Sequence, residues 1–335
     1  MNYIFSSNSV LGRISKVMCI LPVLTASLSG IAGAQTTLRV VTEGLPGDPT
    51  NVMASTFRDE ILKTAADDIS IDFFEGRSLG NERTLIELLQ ANQVQVVAMG
   101  SEIVQLDRKY SIFDIPFLFA SKEIARTALA GETGELLTAS LRESANLRVL
   151  AFGEIGVRII TNNVRPINVP ADLSGMKIRT PGSDTRIMAF QMLGAAPTPM
   201  SLGETYLALR QGALDGQENP LSVVEQNSLH EVQKYLSLTN HVYTPVFLSM
   251  NGDAWDALSE EVQAKVLAAA KIAAEATFVV SDEKDSSLLK FFEEKGVQIN
   301  EPDIAAFQAA VPPIKAEIAK IVTPEFMAQI DEALK

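Results

Sequence analysis

Short apolar runs alternate with amphipathic stretches along the first half of the chain. Strands are predicted over residues 38–41, 69–74 and 94–99, where apolar side chains recur at alternate positions or form a short continuous run. Helices are predicted over residues 51–63 and directly after Asn81, which can cap the helix that follows it. The repeated order of strand and helix predicts a parallel sheet with right-handed crossovers.

The same alternation continues in the middle of the chain. Strands are predicted over residues 147–152 and 157–161, and we expect the chain to cross into a second lobe at the glycine-containing segment between them. Further strands and helices are predicted, in the order strand, helix, strand, helix, over residues 176–179, 183–193, 196–199 and 201–211. Residues 229–250 are strand-rich and should return the chain to the first lobe.

The last third of the chain has the spacing of helices. Residues 259–292 contain almost no helix breakers, which predicts one long helix or two helices joined end to end. Further helices are predicted over residues 304–321 and 323–334, and Pro312-Pro313 should break or kink the first of them. The most aromatic stretch, residues 113–119, is interpreted as core and lobe contact in preference to a ligand-stacking wall.

Residues 1–34 have the features of a secretory signal. Arg13 and Lys16 form its basic region, residues 17–28 are apolar, and Ala32-Gly33-Ala34 is a small-residue cleavage site. A retained amphipathic anchor is the alternative, but the apolar segment is too short to span a membrane. Processing would leave 301 of the 335 residues, enough for two α/β lobes, and predicts a periplasmic location.

Charge and composition exclude several classes of function. The net charge is −13, and it becomes −15 without the signal segment, which argues against nucleic-acid binding. The single cysteine, Cys19, leaves with that segment, and the two histidines, His230 and His241, do not form a metal-ligand pattern. A secreted hydrolase of similar fold is the alternative class, but G-x-S-x-G and a histidine pair are missing, so we expect no enzyme, metal or cofactor.

Arg179 is the strongest candidate for chemistry. It stands at the end of a short buried strand, between the Gly175 turn and Pro181. Ligands of α/β proteins lie at such strand ends, and a planar guanidinium suits a carboxylate because it can donate two parallel hydrogen bonds. The sequence therefore predicts that Arg179 binds an anionic ligand.

Several motifs resemble, in their order and spacing, the solute-binding proteins of TRAP transporters, which are tripartite ATP-independent periplasmic uptake systems for organic acids. The closest likeness is to the dicarboxylate and sialic-acid binding type, and it covers nearly the whole processed chain. The motifs are Leu79-Gly80-Asn81-Glu82-Arg83, Phe113-Asp114-Ile115-Pro116-Phe117, Lys177-Ile178-Arg179, residues 194–200, Tyr206-Leu207-Ala208-Leu209, residues 215–220 and Glu231-Val232-Gln233-Lys234-Tyr235.

The resemblance implies a two-lobed α/β periplasmic binding protein with a hinge, braced by a long helix that residues 259–292 would form. We expect the first lobe to comprise residues 35–155 and 245–284 and the second to comprise residues 156–244 and 285–335. The implied function is to capture an organic acid and deliver it to membrane permease subunits. Signalling through a sensor protein is the alternative output.

The resemblance also implies which residues contact the ligand. Arg179 would grip its carboxylate, and Arg158 would be a second ligand arginine, unless it is a structural ion-pair partner. Asn219 would contact the ligand through its amide, or it is an ordinary turn residue before proline. Glu43 would face the ligand, or it is a solvated loop residue. Two further positions near the ligand are Ser101, which follows Gly100, and Leu202.

The ligand class follows from the charges of these residues. Two arginines opposite one glutamate favour a monocarboxylate with several hydroxyls, such as an aldonic or uronic acid, because Glu43 accepts hydrogen bonds from hydroxyls. A C4-dicarboxylate would bring its second charge toward Glu43, but it stays an alternative if Glu43 is turned to solvent or if Arg158 binds that charge. A sialic-acid-type ligand is the other alternative.

Overall fold

The computed structural model describes residues 35–334, so the predicted signal segment lies outside the described residues. Nine strands occur within this part of the chain. They are β1 (Thr36–Thr42), β2 (Ile69–Phe74), β3 (Val96–Met99), β4 (Leu147–Asn162), β5 (Lys177–Thr180), β6 (Ala196–Pro199), β7 (Gly216–Pro220), β8 (Tyr235–Asn251) and β9 (Gln298–Asn300). They form one sheet in the order β2-β1-β3-β8-β4-β7-β5-β6, with β9 paired to β8.

Helices cover both faces of this sheet. The α-helices of residues 35–334 are α1 (Pro49–Thr64), α2 (Glu82–Gln90), α3 (Lys122–Ala130), α4 (Glu132–Ala145), α5 (Asp184–Met192), α6 (Leu202–Arg210), α7 (Leu221–Gln226), α8 (Gly252–Asp256), α9 (Glu260–Glu294), α10 (Ile304–Ala309), α11 (Val311–Val322) and α12 (Pro324–Ala333). Shorter 3₁₀ turns are Ser101–Gln105, Arg108–Asp114, Pro170–Leu173 and Leu229–Val232. Within residues 35–334, no helix combines the length and the apolar character that crossing a membrane requires.

The sheet is mixed, which corrects part of the prediction. β1 is parallel to β2 and β3, and β5 is parallel to β6 and β7, as strand–helix–strand connections require. The two long strands β4 and β8 are antiparallel to each other and to their neighbours β7 and β3, whereas the short β9 is parallel to β8. The predicted separate strands over residues 147–152 and 157–161 are wrong, because β4 runs without interruption through both.

A bulge explains why the sequence suggests a boundary inside β4. The pairing with β8 shifts register between Glu154 and Gly156, and Gly156 has a φ of +132°, which disfavours any residue with a Cβ. At Gly153, a Cβ would lie 2.7 Å from Thr277 Oγ1 of α9, so glycine allows close packing of the helix. The two glycines therefore allow a bulge in β4 and close packing of α9 against it, and the strand continues through both.

We call the half of the molecule built on β1–β3 and α1–α4 the first lobe, and the half built on β5–β7 and α5–α7 the second lobe. β4 and β8 run through both, and α9 is one 35-residue helix that contacts α1, β4 and α7. The predicted long helix is therefore confirmed in its undivided form. The residue boundaries of the lobes stay a prediction.

Further differences concern short elements. The predicted turn at Glu218-Asn219-Pro220 is instead the end of β7, and β8 begins only at Tyr235. The proline pair breaks the helix as predicted, because α10 ends at Ala309 and Pro312-Pro313 lie in the first turn of α11. Phe113 is buried against Tyr110 and Phe247, so the aromatic stretch does belong to the core.

Candidate ligand-binding site

A cavity of about 710 Å³ lies in the cleft between the two lobes, at the carboxyl ends of the parallel strands. Residues of both lobes line it, including loops that follow β1, β3 and β5 and the first turns of α2 and α6. All six side chains predicted to contact a ligand lie on its wall: Glu43, Ser101, Arg158, Arg179, Leu202 and Asn219.

Arg179 provides the cavity with a buried cation. Its residue exposure is 4%, and both Nε and Nη2 donate to the carbonyl oxygen of Met200, at 3.0 and 2.7 Å. These bonds fix the plane of the guanidinium, while no carboxylate among residues 35–334 forms an ion pair with it. Burial, and secondly the charge of Arg158, lower the pKa of Arg179 to about 10, so it remains charged at neutral pH.

Arg158 is equally buried, at 3% exposure, but it has protein partners. Its Nε donates to Glu218 Oε2, and its Nη2 donates to Glu218 Oε1 at 3.0 Å and to Asn219 Oδ1 at 2.9 Å. β4 and β7 pair directly here, which brings these side chains together. Arg158 therefore lines the cavity and is also a structural ion-pair partner, so both interpretations of its position hold geometrically.

The ion pair extends into a buried network behind the cavity. Arg186 of α5 donates to both Glu218 oxygens, at 3.2 and 3.0 Å, and to Asp114 Oδ1 at 2.8 Å. The two arginines hold the pKa of Glu218 well below its usual range although burial opposes this. Burial lowers the pKa of His241, so the neutral ring accepts from Thr239 at Nδ1, 2.8 Å away, and donates from Nε2 to Glu218, 3.3 Å away.

The amide of Asn219 is also held by the protein. Its Oδ1 accepts from Arg158, and its Nδ2 donates to Gln217 Oε1 at 2.6 Å. Ser101 begins the 3₁₀ turn after β3, and Leu202 is the first residue of α6, which Ser201 caps together with Glu204. These side chains shape the wall, and Arg179 is the residue there with an uncommitted charge.

Glu43 lies on the opposite wall of the cavity, in the first lobe. Its side chain is 16% exposed, Oε1 accepts from Arg77 Nε at 3.1 Å, and Oε2 accepts from the backbone N–H of Glu82 at 2.7 Å. Glu43 therefore faces the cavity and is anchored at the first turn of α2. The interpretation as a solvated loop residue is wrong.

Three further acidic side chains on this wall were not singled out from the sequence: Asp48, Glu82 and Glu102. Glu82 Oε1 accepts from the backbone N–H of Gly100 at 2.7 Å and of Glu102 at 3.2 Å. Burial, and secondly the charges of Glu102 and Glu43, raise the pKa of Glu82 to about 8. Burial likewise raises the pKa of Asp48, whose Oδ1 caps α1.

Position in the fold explains why these acids are easily overlooked. Asp48 is the N-cap residue of α1, and Glu82 is the first residue of α2, where acidic side chains are common for helix-dipole reasons alone. One feature of the sequence could have pointed to these acids: both helices begin at the carboxyl end of a neighbouring strand, where ligands of parallel sheets bind.

The two walls offer different groups to a ligand, although each carries both signs of charge: Arg77 and Arg83 lie on the first-lobe wall, and Asp184 and Glu204 lie on the second-lobe wall. The second lobe offers a buried guanidinium for a carboxylate, and the first lobe offers acceptors and one carboxyl that is protonated below about pH 8. Residues 35–334 contain no cluster of three or more potential metal-ligating His, Cys, Asp or Glu side chains. The arrangement can bind a small molecule that is anionic at one end and rich in hydroxyls at the other.

Comparison with known proteins defines the class. Residues 41–321 match the model of bacterial extracellular solute-binding protein family 7, DctP. The chain belongs to this family of TRAP-type solute-binding proteins, which are receptors and not enzymes.

Individual relatives agree with this assignment. The 2,3-diketo-L-gulonate-binding periplasmic protein YiaO of Escherichia coli is 34% identical over 85% of this chain and 88% of its own. A TRAP periplasmic solute-binding protein of Polaromonas bound to D-erythronate is 34% identical, with a TM-score of 0.83 over 88% of this chain and 98% of its own. Another, from Roseobacter denitrificans with bound L-galactonate, is 31% identical, with a TM-score of 0.82 over 90% and 99%.

Proposed function

We propose that this protein is the periplasmic receptor of a TRAP transporter and that its ligand is a hydroxylated monocarboxylate of the sugar-acid class. Arg179 carries the proposal, because it is a buried, oriented guanidinium without a carboxylate partner among residues 35–334. A ligand carboxylate would supply the missing countercharge through charge-assisted hydrogen bonds.

The opposite wall supports the sugar-acid part of the proposal. Glu43 can accept hydrogen bonds from hydroxyls, and protonated Glu82 can donate one. The relatives from Polaromonas and Roseobacter denitrificans have acids of this kind, D-erythronate and L-galactonate, bound.

A C4-dicarboxylate fits the charges less well. Its second carboxylate would need another cation, but the other arginines on the cavity wall already have carboxylate partners: Arg158 has Glu218, Arg77 has Glu43 and Arg83 has Glu87. The same carboxylate would lie near an acidic wall, where a like charge at contact distance costs a few kcal/mol at an effective dielectric of about 20. Sialic acid has one carboxylate and several hydroxyls, so it belongs in the same test.

The test is a thermal-shift screen followed by calorimetry at pH 7 with D-glucuronate, L-galactonate, D-erythronate, N-acetylneuraminate and succinate. We expect a sugar acid to bind at least about tenfold more tightly than succinate. Tighter binding of succinate would overturn the sugar-acid assignment, and no binding of any carboxylate would overturn the receptor function for organic acids.

The proposed partner is the membrane permease, since relatives of this class are named for transport. Vesicles that contain the TRAP permease encoded in the same genome should take up the acid that binds most tightly in this screen only when the receptor is present. Uptake that does not depend on the receptor would favour a sensing role instead.

A further inference from the structure

Two side chains of the first lobe reach across the cleft and bind the second lobe. Arg77 Nη2 donates to Asn227 Oδ1 at 2.7 Å, and Glu102 Oε1 accepts from the backbone N–H of Gly182 at 2.7 Å. Both contacts lie on the wall of the ligand cavity. Each joins an atom of one lobe to an atom of the other. Asp114 also joins the lobes, through buried bonds to Ser183 and Arg186, so we expect closure to control the contacts on the cavity wall and not the buried ones.

The surroundings of Arg77 favour this contact. Its φ is +67°, in the left-handed region that a residue with a side chain adopts only at a conformational cost. Gly203 in the first turn of α6 leaves room for the guanidinium, since a Cβ there would lie 3.2 Å from Arg77 Nε. Asn227 Nδ2 donates to the carbonyl of Val223 at 3.0 Å, which turns its Oδ1 toward Arg77.

The surroundings of Glu102 are equally specific. Gly182 lies between β5, which carries Arg179, and Ser183, the N-cap of α5. A Cβ on Gly182 would lie only 3.0 and 3.1 Å from the two Glu102 oxygens, so glycine permits the close approach. Gln105 donates to the other oxygen, Glu102 Oε2, which holds the carboxylate from its own lobe.

We propose that Arg77 and Glu102 form a two-point latch that stabilises the closed cleft and thereby slows ligand release. The inference rests on the proposed function, since closure matters to binding only if the cleft holds a ligand. These are positioning residues: both oxygens of Glu102, and two of the three nitrogens of Arg77, already have protein partners.

The expected effect follows from the closed-state population. Apparent affinity is the intrinsic affinity multiplied by the fraction of protein in the binding-competent state. Removing one charge-assisted hydrogen bond that exists only in the closed state should lower that state's equilibrium constant about 3- to 10-fold. Both losses together should lower it about 10- to 100-fold, mainly through faster dissociation.

The first test measures closure without ligand. Residues 35–335 contain no cysteine, so spin labels can be placed at Glu87→Cys on α2 and Leu207→Cys on α6, two exposed positions on different lobes. The distance distribution is recorded for the otherwise unchanged protein, for Arg77→Gly, for Glu102→Ala and for the double variant. Arg77→Gly also removes the backbone cost at this position, so its folding should be preserved.

A matched control separates the latch from a general charge effect. Arg39→Gln removes a guanidinium from the first lobe whose ion-pair partner, Asp72, lies in the same lobe, and it should leave the distribution unchanged. Glu102→Gln keeps an oxygen that accepts from Gly182 and should recover part of the closed population. If the double variant and the Arg39→Gln control have the same distance distribution, the latch is overturned.

The second test measures release of whichever of D-glucuronate, L-galactonate and D-erythronate binds most tightly. The double variant should release it about 10- to 100-fold faster with a nearly unchanged association rate. Binding with an unchanged dissociation rate would overturn the latch and leave the proposed function intact. If none of the acids binds but the labelled distances still shift, the latch stands and the ligand assignment fails.

Discussion

Arg158 and Arg179 are two buried arginines on the same wall of one cavity, with residue exposures of 3% and 4%. Among residues 35–334, Arg158 is bonded to Glu218 and Asn219, whereas the side chain of Arg179 is bonded only to a backbone carbonyl, that of Met200. Equal burial therefore accompanies different charge balance: Arg158 is paired with Glu218, and Arg179 has no carboxylate partner among residues 35–334. We therefore expect that partners, more than burial, separate a structural cation from a ligand-binding one.

The largest expected effect is on stability, from the same substitution at both arginines. Arg158→Met removes one member of the buried network that contains Glu218, and loss of a partner from such a network should lower the free energy of unfolding by about 3 kcal/mol. Arg179→Met removes a buried cation that has no ion-pair partner in the described part of the chain, and the variant should stay within about 1 kcal/mol of the original protein. Denaturant unfolding of both variants measures the difference, and equal losses would contradict the comparison.

Ligand binding should depend strongly on Arg179, although the stability of the protein should depend little on it. Arg179→Ala should weaken binding of the sugar acid that binds most tightly in the screen by at least about 2 kcal/mol, or about 30-fold. The reason is that it removes charge-assisted hydrogen bonds to the carboxylate. Arg179→Lys should recover only part of this loss, since lysine lacks the planar fork. Calorimetry on variants that keep the original melting temperature is the measurement. Near-original affinity of Arg179→Ala would refute the assigned role.

The contrast between the arginines also marks what could be predicted from the sequence. Arg179 lies between a glycine turn and a proline at a strand end, so local pattern places it at the cavity. The partner of Arg158 could not be predicted, because Glu218 lies 60 residues away and is brought close only by pairing of β4 with β7. Local sequence specifies where a side chain stands, while its countercharge is decided by tertiary structure.

The same reason explains the missed strand. β7 contains Gln217, Glu218 and Asn219, and polar residues before proline are typical of a turn. In the structure all three are buried, and their hydrogen bonds go to neighbouring polar side chains. β2 and β6, by contrast, were predicted at their observed bounds, because no distant partner is needed to account for their patterns.

The acidic wall of the first lobe provides a pH-dependent prediction of intermediate size. The pKa of Glu82 is raised to about 8 in the folded protein, so the folded state holds a proton that the unfolded state releases near pH 4.5. Its contribution to stability is fully present below about pH 4.5 and is lost as the pH rises to about 8. Glu82→Gln should therefore be at least about 1 kcal/mol more stable than the original protein at pH 8.

Unfolding by denaturant at pH 5, 6.5 and 8 measures this effect. The matched control is Glu87→Gln on the same helix, whose exposed carboxyl should leave the pH dependence unchanged. If Glu82→Gln and Glu87→Gln have the same pH dependence, Glu82 is ionised in the folded protein at neutral pH.

The smallest expected effect concerns discrimination between ligands by Glu43. Glu43→Gln should weaken a uronate about threefold, because an anionic acceptor for hydroxyls becomes neutral, and should leave succinate unchanged or slightly improved, because a repulsive charge is removed. The effect is modest because Arg77 and the N–H of Glu82 already share the charge of Glu43. Calorimetry with D-glucuronate and succinate in one buffer measures the ratio, with exposed Glu87→Gln as control. Parallel losses for both ligands would mean that Glu43 only anchors α2 and does not sense the second end of the ligand.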